Sequence, residues 1–207
     1  MITIIDYKAG NLTSVKLAFE SIGQKVQITD KPEEILRAEK IVFPGVGAAK
    51  AAMDNLKELK LIEPVRKVIA QGIPFLGICI GMQVLFESSE EDGGTECLGI
   101  LPGNVRKFKS SDKLCKIPQI GWNTVKINKP HPIFDGIEDQ SEFYFVHSYY
   151  PACSDKDYIL GQTEYADSIF SSAAGNKFLV AVQFHPERSG RVGLKLLENF
   201  SNWDEGC

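Results

Sequence analysis

Histidine is scarce in this 207-residue sequence, which has only His131, His147 and His185. Its five cysteines, Cys79, Cys97, Cys115, Cys153 and Cys207, include no Cys-x-x-Cys pair and are odd in number, which argues against a disulfide framework or a zinc site. No metal and no other cofactor is expected. Lysine and arginine number 23 against 27 acidic residues and cluster nowhere. A net charge of -4 excludes a general nucleic-acid binder, which needs concentrated basic charge to neutralise phosphates. Long apolar runs are missing too. The opening MITII meets Asp6 at once and is too short for a signal-peptide core or a membrane span, so a cytoplasmic protein with no membrane partner is expected. Neither repeats nor Pro- or Ser-rich linkers interrupt the chain. At 43% hydrophobic and 24% charged residues it suits one domain over 1–207.

What is present alternates between two periods. ITIID reads as a buried strand and YKAGN as a loop; Leu12, Val15, Leu17, Ala18, Phe19 and Ile22 then mark an amphipathic helix ending at Gly23. KVQIT and KIVFPG are strands, and residues 48–71 are helical, with Pro64 in the first turn of a second helix. IPFLG is a further strand and MQVLFESS a further helix. This alternation predicts a parallel sheet covered on both faces. From Gly99 the pattern turns to strands with polar turns: VRKF, IPQIGWNTVKI, EFYFVHSYY, YILGQTEY, SIFSSA and FLVAVQF. A helix over 190–203 closes the chain.

One thiol sits where the period changes. IPFLG-ICIG-MQVLFE has the form strand, Gly77-x-Cys79-x-Gly81, helix, the thiol counterpart of a nucleophile elbow. Such a turn lifts the Cys79 side chain clear of the sheet and sets it at a helix N-terminus, whose free N–H groups favour thiolate. The backbone N–H of Ile80 then faces the place where an oxyanion would form. On spacing alone, the two glycines serve equally well to let helix and strand pack closely. A nucleophilic thiol also needs a base. His131 lies in a turn rich in Pro and Gly, and His147 in an alternating strand. His185 stands at the carboxyl end of FLVAVQF, the edge where ligands bind in open parallel sheets. Glu187 follows two residues later with rigid Pro186 between, so carboxylate, imidazole and thiol make a candidate triad. By itself, HPE also reads as a turn with a surface carboxylate.

Taken together, FPGVG, GICIGMQ and QFHPE, with DYKAGN, IGWN and YFVHSYY, are specific. In these motifs the chain resembles, over essentially its whole length, the class I, triad-type glutamine amidotransferases, and most of all their branch that serves imidazole glycerol phosphate synthesis. The resemblance implies a flavodoxin-like α/β fold: an open, mostly parallel sheet with helices on both faces and additional antiparallel strands in the second half. It implies that Cys79 attacks the side-chain amide of L-glutamine, that His185 moves the protons and that Glu187 holds the imidazole. It gives the oxyanion to the backbone N–H of Ile80 and to Val46 and Gly47. Substrate binding falls to Gly45, Gly47, Gln83 and the backbone of His147, Ser148 and Tyr149. Asn11, Trp122, Tyr144 and Arg188 face a partner, a (β/α)8 cyclase that consumes the ammonia in histidine biosynthesis. Against the usual pattern, Lys8 stands where DYKAGN carries glycine, Ile80 where leucine is frequent, and Arg188 where lysine is. The same chemistry serving another synthase, one that aminates a sugar or nucleotide, is one alternative; a non-catalytic assembly subunit is another. The complete set of Cys79, His185 and Glu187 counts against the second. A cysteine peptidase on the same elbow would have no use for Gln83 and PGVG together.

Overall fold

A computed structural model describes residues 1–203; Cys207 lies outside the described residues. The first half runs β1 (Ile2–Ile5), α1 (Leu12–Ser21), β2 (Val26–Thr29), α2 (Pro32–Ile35), β3 (Lys40–Gly45), α3 (Ala49–Glu58), α4 (Ile62–Ala70), β4 (Phe75–Cys79) and α5 (Ile80–Gln83). It continues with β5 (Ser88–Ser89), β6 (Thr95–Glu96), β7 (Gly103–Lys107), β8 (Gln119–Ile127), β9 (Ser141–His147), β10 (Tyr149–Cys153), β11 (Ile159–Tyr165), β12 (Ser168–Gly175), β13 (Leu179–Val182) and α6 (Gly190–Asn202). Nine strands form one sheet in the order β2-β1-β3-β4-β13-β12-β11-β8-β9, and a four-stranded sheet follows β10-β7-β5-β6. The pairings among β2, β1, β3, β4 and β13 are parallel, and those from β13 to β9 are antiparallel.

The apolar periods explain where each element lies. Every residue of β1, β4 and β13 is buried, as expected of strands covered on both faces. In α6, Gly193, Leu196, Leu197 and Phe200 are buried at i, i+3, i+4 and i+7, the stripe by which a helix packs against a sheet. This face meets α1, whose Val15, Ala18 and Phe19 are buried. No helix among the described residues is long and apolar enough to cross a membrane.

Two expectations are corrected. The helix expected over MQVLFESS is the single turn α5. The run Met82, Val84, Leu85 and Phe86 is buried on all sides rather than along one stripe. The carbonyls that would continue the helix accept from another segment instead: Val84 O from Leu98 N–H, Leu85 O from Ile100 and Leu101 N–H, and Phe86 O from Gly99 N–H, each at 2.8 Å. EFYFVHSYY is not one strand either. It breaks at Ser148 into β9, on the edge of the large sheet, and β10, in the small one.

Candidate active site

Parallel strands bring the site together at their carboxyl ends. Gly45 closes β3 directly opposite Cys79 at the end of β4. On the other side of β4, Val182 of β13 pairs with Ile78, and the chain runs on to His185. Cys79 itself carries the bend. Its φ of 54° and ψ of -110° lie outside the ordinary regions for an L-residue, a strain of about 1–3 kcal/mol that turns the chain from strand into helix. The flanking glycines serve packing: a Cβ on Gly81 would stand 1.7 Å from the Phe43 carbonyl oxygen, and one on Gly77 3.0 Å from Leu85 Cδ1. A one-turn helix has little dipole to lend. Its local donors remain, and the Ile80 N–H is a first-turn group with no intrahelical acceptor.

His185 is built into a clamp. The turn Pro186–Arg188 folds Glu187 back so that its Oε1 lies 2.7 Å from His185 Nδ1, with both side chains buried. Asn11 Nδ2 donates to the same oxygen at 2.6 Å. Backbone bonds from β9 hold the turn: His185 N–H donates to Tyr144 O at 2.9 Å, and Ser189 Oγ accepts from Tyr144 N–H at 3.0 Å while donating to His185 O at 2.6 Å. Burial alone would lower the imidazole pKa. The Cys79 sulfur and the Glu187 carboxylate outweigh burial and raise it to about 10. Nε2, left free by Glu187, is the nitrogen available for proton transfer.

A pocket of about 590 Å³ opens over Cys79 and His185, and Ile80, Gln83, Ser148 and Tyr149 line it. Gln83, buried, donates through Nε2 to Tyr149 O at 3.0 Å and to Gln183 Oε1 at 2.9 Å. His147 sits among Phe108, Phe145 and Phe170, and its Nδ1 is 2.7 Å from Tyr149 O. Burial lowers its pKa to about 4, so the ring is neutral and Nδ1 is the donor.

The remaining expected residues take the following positions. Gly45 is buried rather than on the pocket wall; a Cβ there would lie 1.9 Å from the Tyr7 hydroxyl, whose own pKa burial pushes up. Gly47 does reach the wall, with a φ of 106° that favours glycine. The Val46 N–H, expected as an oxyanion donor, is engaged by Ala9 O at 3.0 Å. Arg188 is at the exposed rim of the pocket. Trp122 is 54% exposed, edge-on to Tyr144 at 6.2 Å, in a separate cleft with Ile120 and Tyr165. Asn11 lines the pocket beside Glu187. Lys8 has a φ of 63°, the left-handed conformation that glycine takes readily, and its ammonium pairs with exposed Glu58 at 2.9 Å.

Two residues near the thiol escaped the sequence reading. Glu91 lines the pocket, accepts from Ala49 N–H at 2.7 Å and is raised in pKa by burial; nothing in the run EED distinguishes it. Gln183 donates to Cys79 Sγ at 3.6 Å, and its position inside QFHPE was the available signal. Away from the pocket, burial and acidic neighbours push the Cys97 thiol up to about 11, and burial raises Cys153.

The glutamine amidotransferase class-I family matches residues 3–202. The imidazole glycerol phosphate synthase subunit HisH of Methanocaldococcus jannaschii is 52% identical, over 97% of this chain and 98% of its own. HisH of Dehalococcoides mccartyi is 47% identical, over 97% and 96%. Among solved structures, PurLQS from Thermotoga maritima shares the fold at a TM-score of 0.73, with 18% identity over 98% of this chain and 97% of that one. A thiol on a strained elbow, a buried imidazole backed by a carboxylate, and this likeness along nearly all its length lead to one conclusion: the chain belongs to the class I glutamine amidotransferase family.

Proposed function

We propose that the chain is the glutaminase subunit of an imidazole glycerol phosphate synthase, acting as one domain in the cytoplasm and passing ammonia to a (β/α)8 cyclase in histidine biosynthesis. The observation that carries the chemistry is the Cys79 elbow facing a histidine buried against Glu187. Cys79 Sγ attacks the carboxamide carbon of L-glutamine and forms a C–S bond. As the tetrahedral oxyanion collapses, the C–N bond breaks and His185 gives its proton to the departing nitrogen. A water, deprotonated by His185, then attacks the thioester; the C–S bond breaks, glutamate leaves, and thiolate and imidazolium are restored. The Ile80 N–H serves the oxyanion. For the Val46 N–H to serve as a second donor it must release Ala9 O, and one such donor is worth about 10² to 10³ in rate, so a partner that reorients this peptide would raise hydrolysis. Gln83, Glu91 and the backbone of 147–149 offer acceptors and donors for the amino-acid end of glutamine.

The test is glutamate release by the purified chain, alone and then with the cyclase and its ribonucleotide. A large rise is expected. Cys79→Ala should abolish hydrolysis while the pair still uses added ammonia. Should added ammonia fail too, the substitution has damaged folding or docking. No rise, with Cys79 still labelled first by a glutamine-like chloroketone, would move the same chemistry to another synthase.

A further inference from the structure

The amide groups beneath the pocket are oriented from one end. The Tyr149 carbonyl oxygen can only accept, so the Gln83 atom 3.0 Å from it is the amide nitrogen. The second hydrogen of that nitrogen meets Gln183 Oε1 at 2.9 Å, which turns Gln183 Nε2 toward Cys79 Sγ at 3.6 Å. Rotating either carboxamide by half a turn would set oxygen against oxygen or nitrogen against nitrogen. His147 Nδ1 adds a second donor to the same Tyr149 oxygen at 2.7 Å and pins the origin of the chain. Gln83 is 2% exposed and Gln183 0%, so solvent offers neither an alternative partner. The sulfur therefore faces an N–H as a consequence of a backbone carbonyl three hydrogen bonds away.

A donor directed at a buried sulfur favours its charged form and fixes its rotamer. We infer that Gln183 is a positioning residue for the nucleophile, holding the Cys79 sulfur as a thiolate aimed into the pocket, and that Gln83 locks it to the Tyr149 segment. The relay compensates for a helix too short to polarise the thiol by its dipole. It also joins the reacting atom to the segment 147–149 proposed to seat the glutamine backbone, so a displacement of the Tyr149 carbonyl is felt at Sγ. Gln183 does not line the pocket; it reaches the pocket only through Cys79 and Gln83. The inference rests on the reading of Cys79 as the nucleophile.

The experiment follows alkylation of Cys79 by iodoacetamide against pH in the full chain, site by site in a peptide map, together with the kinetics of glutamate release. Gln183→Met keeps the volume close and removes the donor. The pH of half-maximal alkylation should rise by about one unit or more. The value of kcat should fall roughly tenfold, with KM changed by less than about twofold. Gln83→Met breaks the relay one link earlier and should move the half-maximal pH the same way, by less. If Gln183→Met does not fold, Gln183→Glu keeps an acceptor for Gln83 while setting an oxygen against the sulfur, and the half-maximal pH must rise there too. An unchanged alkylation profile in the folded variant, with or without lower thermal stability, would make Gln183 a packing residue and overturn the inference. If Cys79 of the unaltered chain reacts no faster than Cys97, it is the nucleophile reading that fails.

Discussion

Replacing Glu187 by glutamine separates charge from geometry at the triad, because Asn11 dictates how the introduced carboxamide must sit. Glu187 Oε1 receives two donors, His185 Nδ1 at 2.7 Å and Asn11 Nδ2 at 2.6 Å, while Oε2 is buried with no hydrogen-bond partner among the described residues. The new amide oxygen must keep both donors and the NH2 group must take the place of Oε2; the reverse orientation would set nitrogen against two donors. His185 therefore keeps its proton on Nδ1 and at the imidazole only the charge is lost, while the NH2 group buried without an acceptor lowers stability. Hydrogen bonds to charged groups contribute about 1.5–3 kcal/mol and neutral ones about 0.5–1.5, so the difference is roughly 1–1.5 kcal/mol, or about tenfold in rate. Asn11→Ala alone leaves the carboxylate to hold the ring and should cost only about two- to threefold. With both changes nothing pins the introduced amide. Its NH2 can turn to Nδ1 and force the proton onto Nε2, the wrong tautomer for a base, at a cost of about 10⁴. The double variant should thus fall far below the product of the single effects, measured as steady-state glutamate release under one set of conditions. A loss near 10⁴ for Glu187→Gln alone, or simple additivity, would refute the role given to Asn11.

Two further outcomes follow from the same geometry. His147 is buried and neutral, its pKa lowered from about 6.5 to about 4, so below about 6.5 the unfolded chain takes up a proton that the native one refuses. Its contribution is complete above that pH and is lost as the pH falls toward 4. Urea unfolding should show the unaltered chain losing about 2 kcal/mol more than His147→Gln between pH 7 and 5, and equal slopes would contradict a neutral ring. Gly81→Ala drives a Cβ to 1.7 Å from the Phe43 carbonyl oxygen, so β3 or the elbow must move. A loss of at least about 1–3 kcal/mol in stability is expected, together with loss of selective Cys79 labelling; a fully labelled, equally stable variant would show that α5 need not lie so close.

Much of this was legible along the chain because periodicity is a property of consecutive residues. The alternation from β1 to β4, the stripe of α6 and the positions of Cys79, His185 and Glu187 in their motifs all depend on near neighbours. Where the reading failed, distant backbone took over. MQVLFESS carries a helix-like apolar run, yet residues 98–101 claim its carbonyls, and EFYFVHSYY is continuous in pattern but parts between two sheets. The surroundings of the triad were least readable. Asn11 reaches Glu187 across 176 residues, and Gln183 reaches Cys79 across 104. The sequence by itself determined the class of elements and the chemical groups available, since burial periods and motif spacing are local. Only the tertiary structure decided which carboxamide faces the thiol, which donor completes the carboxylate and that Val46 N–H is held by Ala9, because those partners are chosen by strand order at the sheet edge and by the need of each buried polar group to be satisfied.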